Sequence, residues 1–121
     1  PTCEKIAAIK HQNNSDFWIV TQFQGSNIFY SYLLTSSGLN MTPVVSKIGS
    51  VVPEGSPGIG YFKASLNGSR IVTARSQMYQ LELFNFNNST GFLSNSMTFG
   101  DISPYGVEFS PKGNLLYVSS L

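Results

Sequence analysis

Few side chains in this sequence are able to transfer a proton, attack a carbonyl or hold a metal, and their spacing limits what each one can do. His11 is the only histidine, and Ser15 and Asp16 follow it closely in His11-Gln12-Asn13-Asn14-Ser15-Asp16. A general base needs a carboxylate or a nucleophile within hydrogen-bond reach, and this run supplies both types. The run is also polar throughout and lies between apolar bursts, so it reads as an inter-strand turn. The acidic residues Glu4, Asp16, Glu54, Glu82, Asp101 and Glu108 are dispersed, with no D-x-D-x-D calcium loop. One cysteine and one histidine exclude a local zinc site. The expectation is that no residue is catalytic, none binds a cofactor and none ligates a metal.

Other features have a chemical and a structural reading. Cys3 is a candidate reactive thiol, but near the edge of a first strand it reads as a small buried hydrophobe. Gly58-Ile59-Gly60 resembles a phosphate loop without the following helix or the Lys-Ser/Thr, and reads as a flexible approach to a strand. Asn-x-Ser/Thr sequons occur at Asn13, Asn40, Asn67, Asn87 and Asn88, all in turn-like segments. In so Asn- and Ser-rich a chain they read as chance. Trp18, Tyr30, Tyr32, Phe84, Phe86 and Tyr105 are of the type that forms a platform for sugar or peptide, yet their mid-strand positions read as core.

Charge is low: Asp, Glu, Lys and Arg make up 11% of the 121 residues, against about 25% in an average soluble domain. Asn, Ser and Thr must therefore build much of the polar surface, a composition that suits an extracellular or cell-surface β-protein. Aromatic residues at 13% argue against disorder. The basic residues Lys5, Lys10, Lys47, Lys63, Arg70, Arg75 and Lys112 are scattered, with no stripe for nucleic acid and no cluster for an anionic membrane. No apolar run is long enough for a membrane span. Pro1-Thr2-Cys3-Glu4-Lys5 lacks the charged and apolar regions of a signal peptide. A single cysteine allows no intrachain disulfide, so packing must supply the stability.

The elements that would position these residues are strands. Apolar bursts bounded by turn residues run over Lys5–Lys10, Phe17–Phe23, Ile28–Thr35, Val44–Ile48, Gly60–Ala64, Arg70–Ala74, Tyr79–Phe86, Phe92–Phe99, Val107–Phe109 and Leu115–Ser119. Their spacing indicates a sandwich, a barrel or a propeller. Two internal echoes help choose among them. Ser65-Leu66-Asn67-Gly68-Ser69-Arg70-Ile71-Val72-Thr73 matches Ser110-Pro111-Lys112-Gly113-Asn114-Leu115-Leu116-Tyr117-Val118. Tyr30-Ser31-Tyr32, ending at Ser37-Gly38-Leu39, matches Phe84-Asn85-Phe86, ending at Thr90-Gly91-Phe92. Trp18-Ile19-Val20-Thr21 then reads as the first copy of Arg70-Ile71-Val72-Thr73. Asn67-Gly68 is expected to take positive φ at both residues of a tight turn. The strands lack clean alternation: Leu81 and Leu83 face one way, Phe84 and Phe86 the other. Strands covered on both faces behave so, as propeller blades do.

The Ser-Pro-x-Gly-x-x-Leu-Tyr-Val run at Ser110–Val118 resembles the hairpin of WD-repeat-like and lactonase-like propellers, the group named for a Tyr-Val-Thr-Asn motif. With Trp18–Thr21 and Tyr105-Gly106-Val107-Glu108-Phe109-Ser110-Pro111, the pattern resembles propeller regions of surface proteins from gliding, Bacteroidetes-type bacteria. The resemblance implies an all-β fold of antiparallel four-stranded blades, about two and a half of them: residues 1–58, 59–104, and 105–121 as the first hairpin of a third. A closed ring takes at least four blades of roughly 40–50 residues, so the expected domain is an incomplete propeller. Its open faces would be met by remaining blades or by a second copy. The expected role is a non-enzymatic scaffold or recognition module for protein or glycan, without nucleic acid or membrane insertion. The alternative is a fragment of a lactonase-like or other hydrolytic enzyme, whose carboxylates would converge on the channel; Glu108 is then the best placed.

Overall fold

The computed structural model describes residues 2–56 and 58–121. The β-branched and aromatic bursts form strands: β1 (Thr2–Lys10), β2 (Phe17–Phe23), β3 (Ile28–Thr35), β4 (Gly38–Leu39), β5 (Val44–Lys47), β6 (Phe62–Ala64), β7 (Arg70–Arg75), β8 (Gln80–Asn87), β9 (Phe92–Phe99), β10 (Pro104–Phe109) and β11 (Leu116–Ser120). The only helical piece among the described residues is a 3-10 turn at Ser76–Met78, and no helix there is long and apolar enough to cross a membrane.

The strands form three antiparallel sheets. The first is β1-β2-β3, with both β4 and β5 pairing on the outer edge of β3. The second is the meander β6-β7-β8-β9, and the third is the hairpin β10-β11. The second sheet lies between the other two. Ala7, Ile9, Trp18, Val20 and Phe29 of the first sheet pack on Phe62, Ile71, Phe84, Phe86 and Leu93 of the second. Val72, Ala74 and Leu81 of the second pack on Val107 and Phe109 of the third. Each large apolar side chain so buried contributes about 1.5–3 kcal/mol, and Phe29 meets Phe84 edge-on with centroids 5.1 Å apart.

At one end of the stack the opening strands β1, β6 and β10 lie side by side. There the Tyr61 N–H donates to the Tyr105 carbonyl at 2.8 Å. At the opposite end β5 meets β9, where the Leu93 N–H donates to Ser46 Oγ at 3.0 Å. Trp18 Nε1 donates to the Asn88 carbonyl at 2.9 Å, fastening the first sheet to the β8–β9 turn.

Alternation differs from the sequence reading in a revealing way. β1 alternates exposed and buried residues along its whole length, and β2 nearly so. β7 is buried from Ile71 to Arg75. Strands of similar composition diverge because only the middle sheet has a neighbour on each face. Leu81 and Phe84 do point to opposite cores, the former toward the third sheet and the latter toward the first.

The two hairpins matched in sequence are built alike. Gly68 N–H donates to the Ser65 carbonyl, and Gly113 N–H to that of Ser110, at 2.9 and 2.8 Å. Ser65 Oγ accepts from the Arg70 N–H at 3.0 Å, and Ser110 Oγ from the Leu115 N–H at 3.1 Å. Only Gly68 takes positive φ, not Asn67. The turn is longer than two residues, so Asn67 uses its side-chain oxygen to accept from Ser69 N–H instead. Strand register also corrects the second echo. Ile19 pairs with Tyr32, and Ile71 pairs with Phe84, so Tyr32 rather than Tyr30 is the counterpart of Phe84. The turns that follow β3 and β8 differ in length, which displaced the alignment read from the glycines.

Candidate functional site

Two arrangements concentrate chemistry. The first is buried between β1 and β7. Lys5 lies on the inward side of β1 and is 2% exposed; its Nζ donates to the carbonyls of Gly60 at 2.8 Å and Ala74 at 2.6 Å. Next to it on β7, Arg75 Nη2 donates to Glu82 Oε2 at 2.7 Å, and both side chains are buried. Glu82 Oε1 accepts from the Ser50 N–H at 2.9 Å and the Ser96 hydroxyl at 2.7 Å. Arg75 Nε has no partner among the described residues. Burial, and then the neighbouring Arg75 charge, push the Lys5 amine down to about 7. Burial likewise lowers Arg75, against the pull of Glu82, and raises the buried Cys3 thiol. The Lys5 bond to Ala74 joins the first sheet to the second and the Ser50 bond to Glu82 joins a loop to it, while Arg75, Glu82 and Ser96 are linked within the second sheet. The network is a clamp between sheets.

The second arrangement is open and runs along the adjoining strands β1, β6 and β10. A cleft of about 550 Å³ is lined by residues 6–10 of β1, Phe17, residues 62–66 and Glu108. Smaller hollows continue it, one of about 340 Å³ lined by Glu4, Gly58–Tyr61 and Tyr105. Another, of about 370 Å³, takes in Tyr61, Glu108 and Tyr117. Tyr61 and Tyr105 hold their rings 5.7 Å apart at 52°. Lys63 Nζ sits 5.7 Å from the Tyr61 ring centre and 3.4 Å from Glu108 Oε2. Exposed phenol rings beside both signs of charge suit a sugar or a peptide, which present apolar faces together with hydrogen-bonding groups.

The residues singled out in the sequence fall on different parts of the molecule. His11, Ser15 and Asp16 lie in the β1–β2 turn. There the Asn13 N–H donates to His11 Nδ1 at 3.0 Å, and Asn13 Nδ2 to Asp16 Oδ2 at 2.7 Å. Their polar atoms thus hold the turn together. Glu4, Glu54 and Asp101 are exposed, Glu82 is buried, and Glu108 lies on the open cleft. Asn13, Asn40, Asn67 and Asn87 each accept turn N–H groups through Oδ1, so four of the sequons are also turn formers. Of the six aromatic residues, Trp18, Phe84 and Phe86 are core, whereas Tyr30 and Tyr32 are half-exposed and Tyr105 is exposed. Gly60 precedes β6, and the backbone around it supplies the carbonyl that Lys5 bonds.

Sequence reasoning missed Lys5, Arg75 and Glu82 as a group, and passed over Tyr61 and Lys63. A carboxylate between leucines in Leu81-Glu82-Leu83 has the pattern of a solvent-facing strand position. Nothing local announces that Ser50, Ser96 and Arg75 surround it. No protein-family model matches the chain, and no curated protein is similar to it.

Proposed function

We propose that the chain is a run of β-propeller blades acting as a non-enzymatic, extracellular or cell-surface module that recognises protein or glycan. The single observation that carries this reading is the convergence of β1, β6 and β10 along one open edge bearing Tyr61, Lys63, Tyr105 and Glu108. In a propeller, the opening strands of successive blades face the central channel, where ligands are met. The low charge and the Asn/Ser-rich turns support an extracellular setting. The buried ionic network favours a scaffold, since Lys5 ties the first sheet to the second and Glu82 holds both Arg75 and the Ser50 loop.

The test uses glycan and peptide arrays followed by calorimetric titration of any ligand found. Tyr61→Ala and Lys63→Ala are expected to weaken binding by tenfold or more while leaving the far-ultraviolet circular dichroism unchanged. Binding that is indifferent to both substitutions refutes the assignment of this edge. The same preparation is offered lactone and ester substrates. Turnover that disappears in Glu108→Gln replaces the recognition module with the hydrolytic alternative.

A further inference from the structure

Asn67-Gly68 is the one Asn-Gly pair in the chain. Such a pair carries a chemistry of its own. The main-chain nitrogen that follows an asparagine can attack the side-chain amide carbon, most readily when it belongs to glycine, which has no Cβ to hinder the approach. The Gly68 nitrogen gives up its proton and bonds to Cγ of Asn67, ammonia leaves with Nδ2, and a five-membered succinimide results. Water then opens the ring on either side, to aspartate or to isoaspartate. The sum is one water consumed and one ammonia released, with no oxidant and no other reactant.

The fold holds this pair in a form that resists ring closure. Residues Ser65 to Gly68 make a turn in which the Gly68 N–H donates to the Ser65 carbonyl at 2.9 Å. Of these residues only Gly68 has positive φ, which makes the turn type I, with ψ at Asn67 of about 0°. That torsion turns the Gly68 nitrogen away from the Asn67 side chain, and the bond to Ser65 occupies the proton it must lose. The side chain is fixed as well. Asn67 Oδ1 accepts from the Ser65 hydroxyl at 2.8 Å, the Ser69 hydroxyl at 2.8 Å and the Ser69 N–H at 3.1 Å. Asn67 and Ser69 are nonetheless exposed, so water reaches the turn.

We infer that Asn67 is a modification site gated by this turn: it stays asparagine while the β6–β7 turn is closed, and converts to aspartate and isoaspartate when the turn opens. The turn belongs to the middle sheet and has neighbours on both sides. A Cβ at Gly68 would lie 3.3 Å from Ile9 Cγ2 of the first sheet and 3.0 Å from Asn88 Nδ2, and one at Gly113 of the third hairpin would lie 3.9 Å from Asn67 Nδ2. Isoaspartate routes the main chain through Cγ and lengthens it by one carbon. With so little room around Gly68, the modified turn cannot close in the same place, and conversion becomes a lasting record of opening. The matching turn of the third sheet has Lys112 before Gly113 and is inert to this reaction.

Peptide mapping by mass spectrometry, with chromatography that separates asparagine, aspartate and isoaspartate at position 67, follows the reaction in mildly alkaline buffer. The folded chain is compared with the same chain held unfolded in guanidinium chloride. Conversion is expected to be slower in the folded chain by roughly tenfold or more, because several hydrogen bonds must be given up together. Ser69→Ala removes one donor to Oδ1 at an exposed position, and is expected to speed conversion in the folded chain but not in the unfolded one. Ser65→Ala also removes the acceptor for the Arg70 N–H and is expected to speed it further. If circular dichroism shows that Ser65→Ala does not fold, Ser69→Ala alone decides. Equal rates in the folded and unfolded chain overturn the inference, as does a folded-state rate that Ser69→Ala leaves unchanged. Faster conversion of another asparagine in the unfolded chain overturns the choice of site.

Discussion

Replacing Lys5 by methionine isolates the effect of the buried amine on stability. In the folded chain the amine is held at about 7, chiefly by burial and then by Arg75; unfolded, it has the ordinary lysine value of about 10.4. Its folded value is depressed, so between these limits the unfolded chain binds more protons, and stability rises with pH. Below about 7 the folded chain carries a charge in a poor environment and the cost is complete. Cys3 acts in the opposite sense, because burial raises its folded value and stability then falls as pH climbs past the unfolded thiol range near 8.5. The clean window is therefore pH 7 to 8.5. Integrating the proton difference over it gives a gain of about 1–2 kcal/mol for the native sequence. Urea unfolding followed by Trp18 fluorescence measures this, Trp18 being buried in the first core. Lys5→Met is expected to lose that gain, making its stability nearly flat with pH. It also deprives the carbonyls of Gly60 and Ala74 of their donor, so its stability at pH 8.5 should fall below that of the native chain. The same pH slope in both proteins refutes the argument, and so does a native stability that decreases from pH 7 to 8.5.

Two further substitutions probe packing. Gly91 has φ +76°, and a Cβ there would lie 2.7 Å from a Trp18 ring carbon; Gly91→Ala should cost about 2 kcal/mol or more in urea unfolding, since backbone strain and overpacking act together. Glu82→Gln leaves the Arg75 guanidinium buried without its countercharge and should cost about 3–5 kcal/mol, with a lower melting temperature by calorimetry. The double variant Arg75→Met with Glu82→Gln should recover part of that loss, as no unpaired charge remains.

Local features of the fold were legible in the residues. Phe17–Phe23, Ile28–Thr35 and Phe92–Phe99 are strands over the ranges expected, because β-branched and aromatic bursts between turn residues have few other options. The hairpin after Ser65 and its counterpart after Ser110 were also readable, since serine and glycine at fixed spacing serve the same hydrogen bonds in both. Other features were not. β1 was expected to begin near Lys5 but starts at Thr2, and β4 was not foreseen, because both are stabilised by pairing with strands already in place. Tyr30 and Tyr32 were read as core and lie on an uncovered face. A mid-strand aromatic residue looks the same in sequence whether or not another sheet stands opposite it.

By itself, then, the sequence determined strands, turns and the absence of extended helix, all of which depend on residues within a few positions of one another. Tertiary structure decided which faces are covered and which residues meet. Ile19-Val20-Thr21 and Ile71-Val72-Thr73 are the same tripeptide, yet all three residues are buried in the second copy and only the valine is fully buried in the first. The difference comes from the neighbouring sheet alone. Likewise Lys5, Arg75 and Glu82 are ordinary charged residues along the chain and become a clamp only when β1 is laid against β7 and the loop at Ser50 closes over them. Burial and long-range hydrogen bonding are properties of the stack, and no local pattern encodes them.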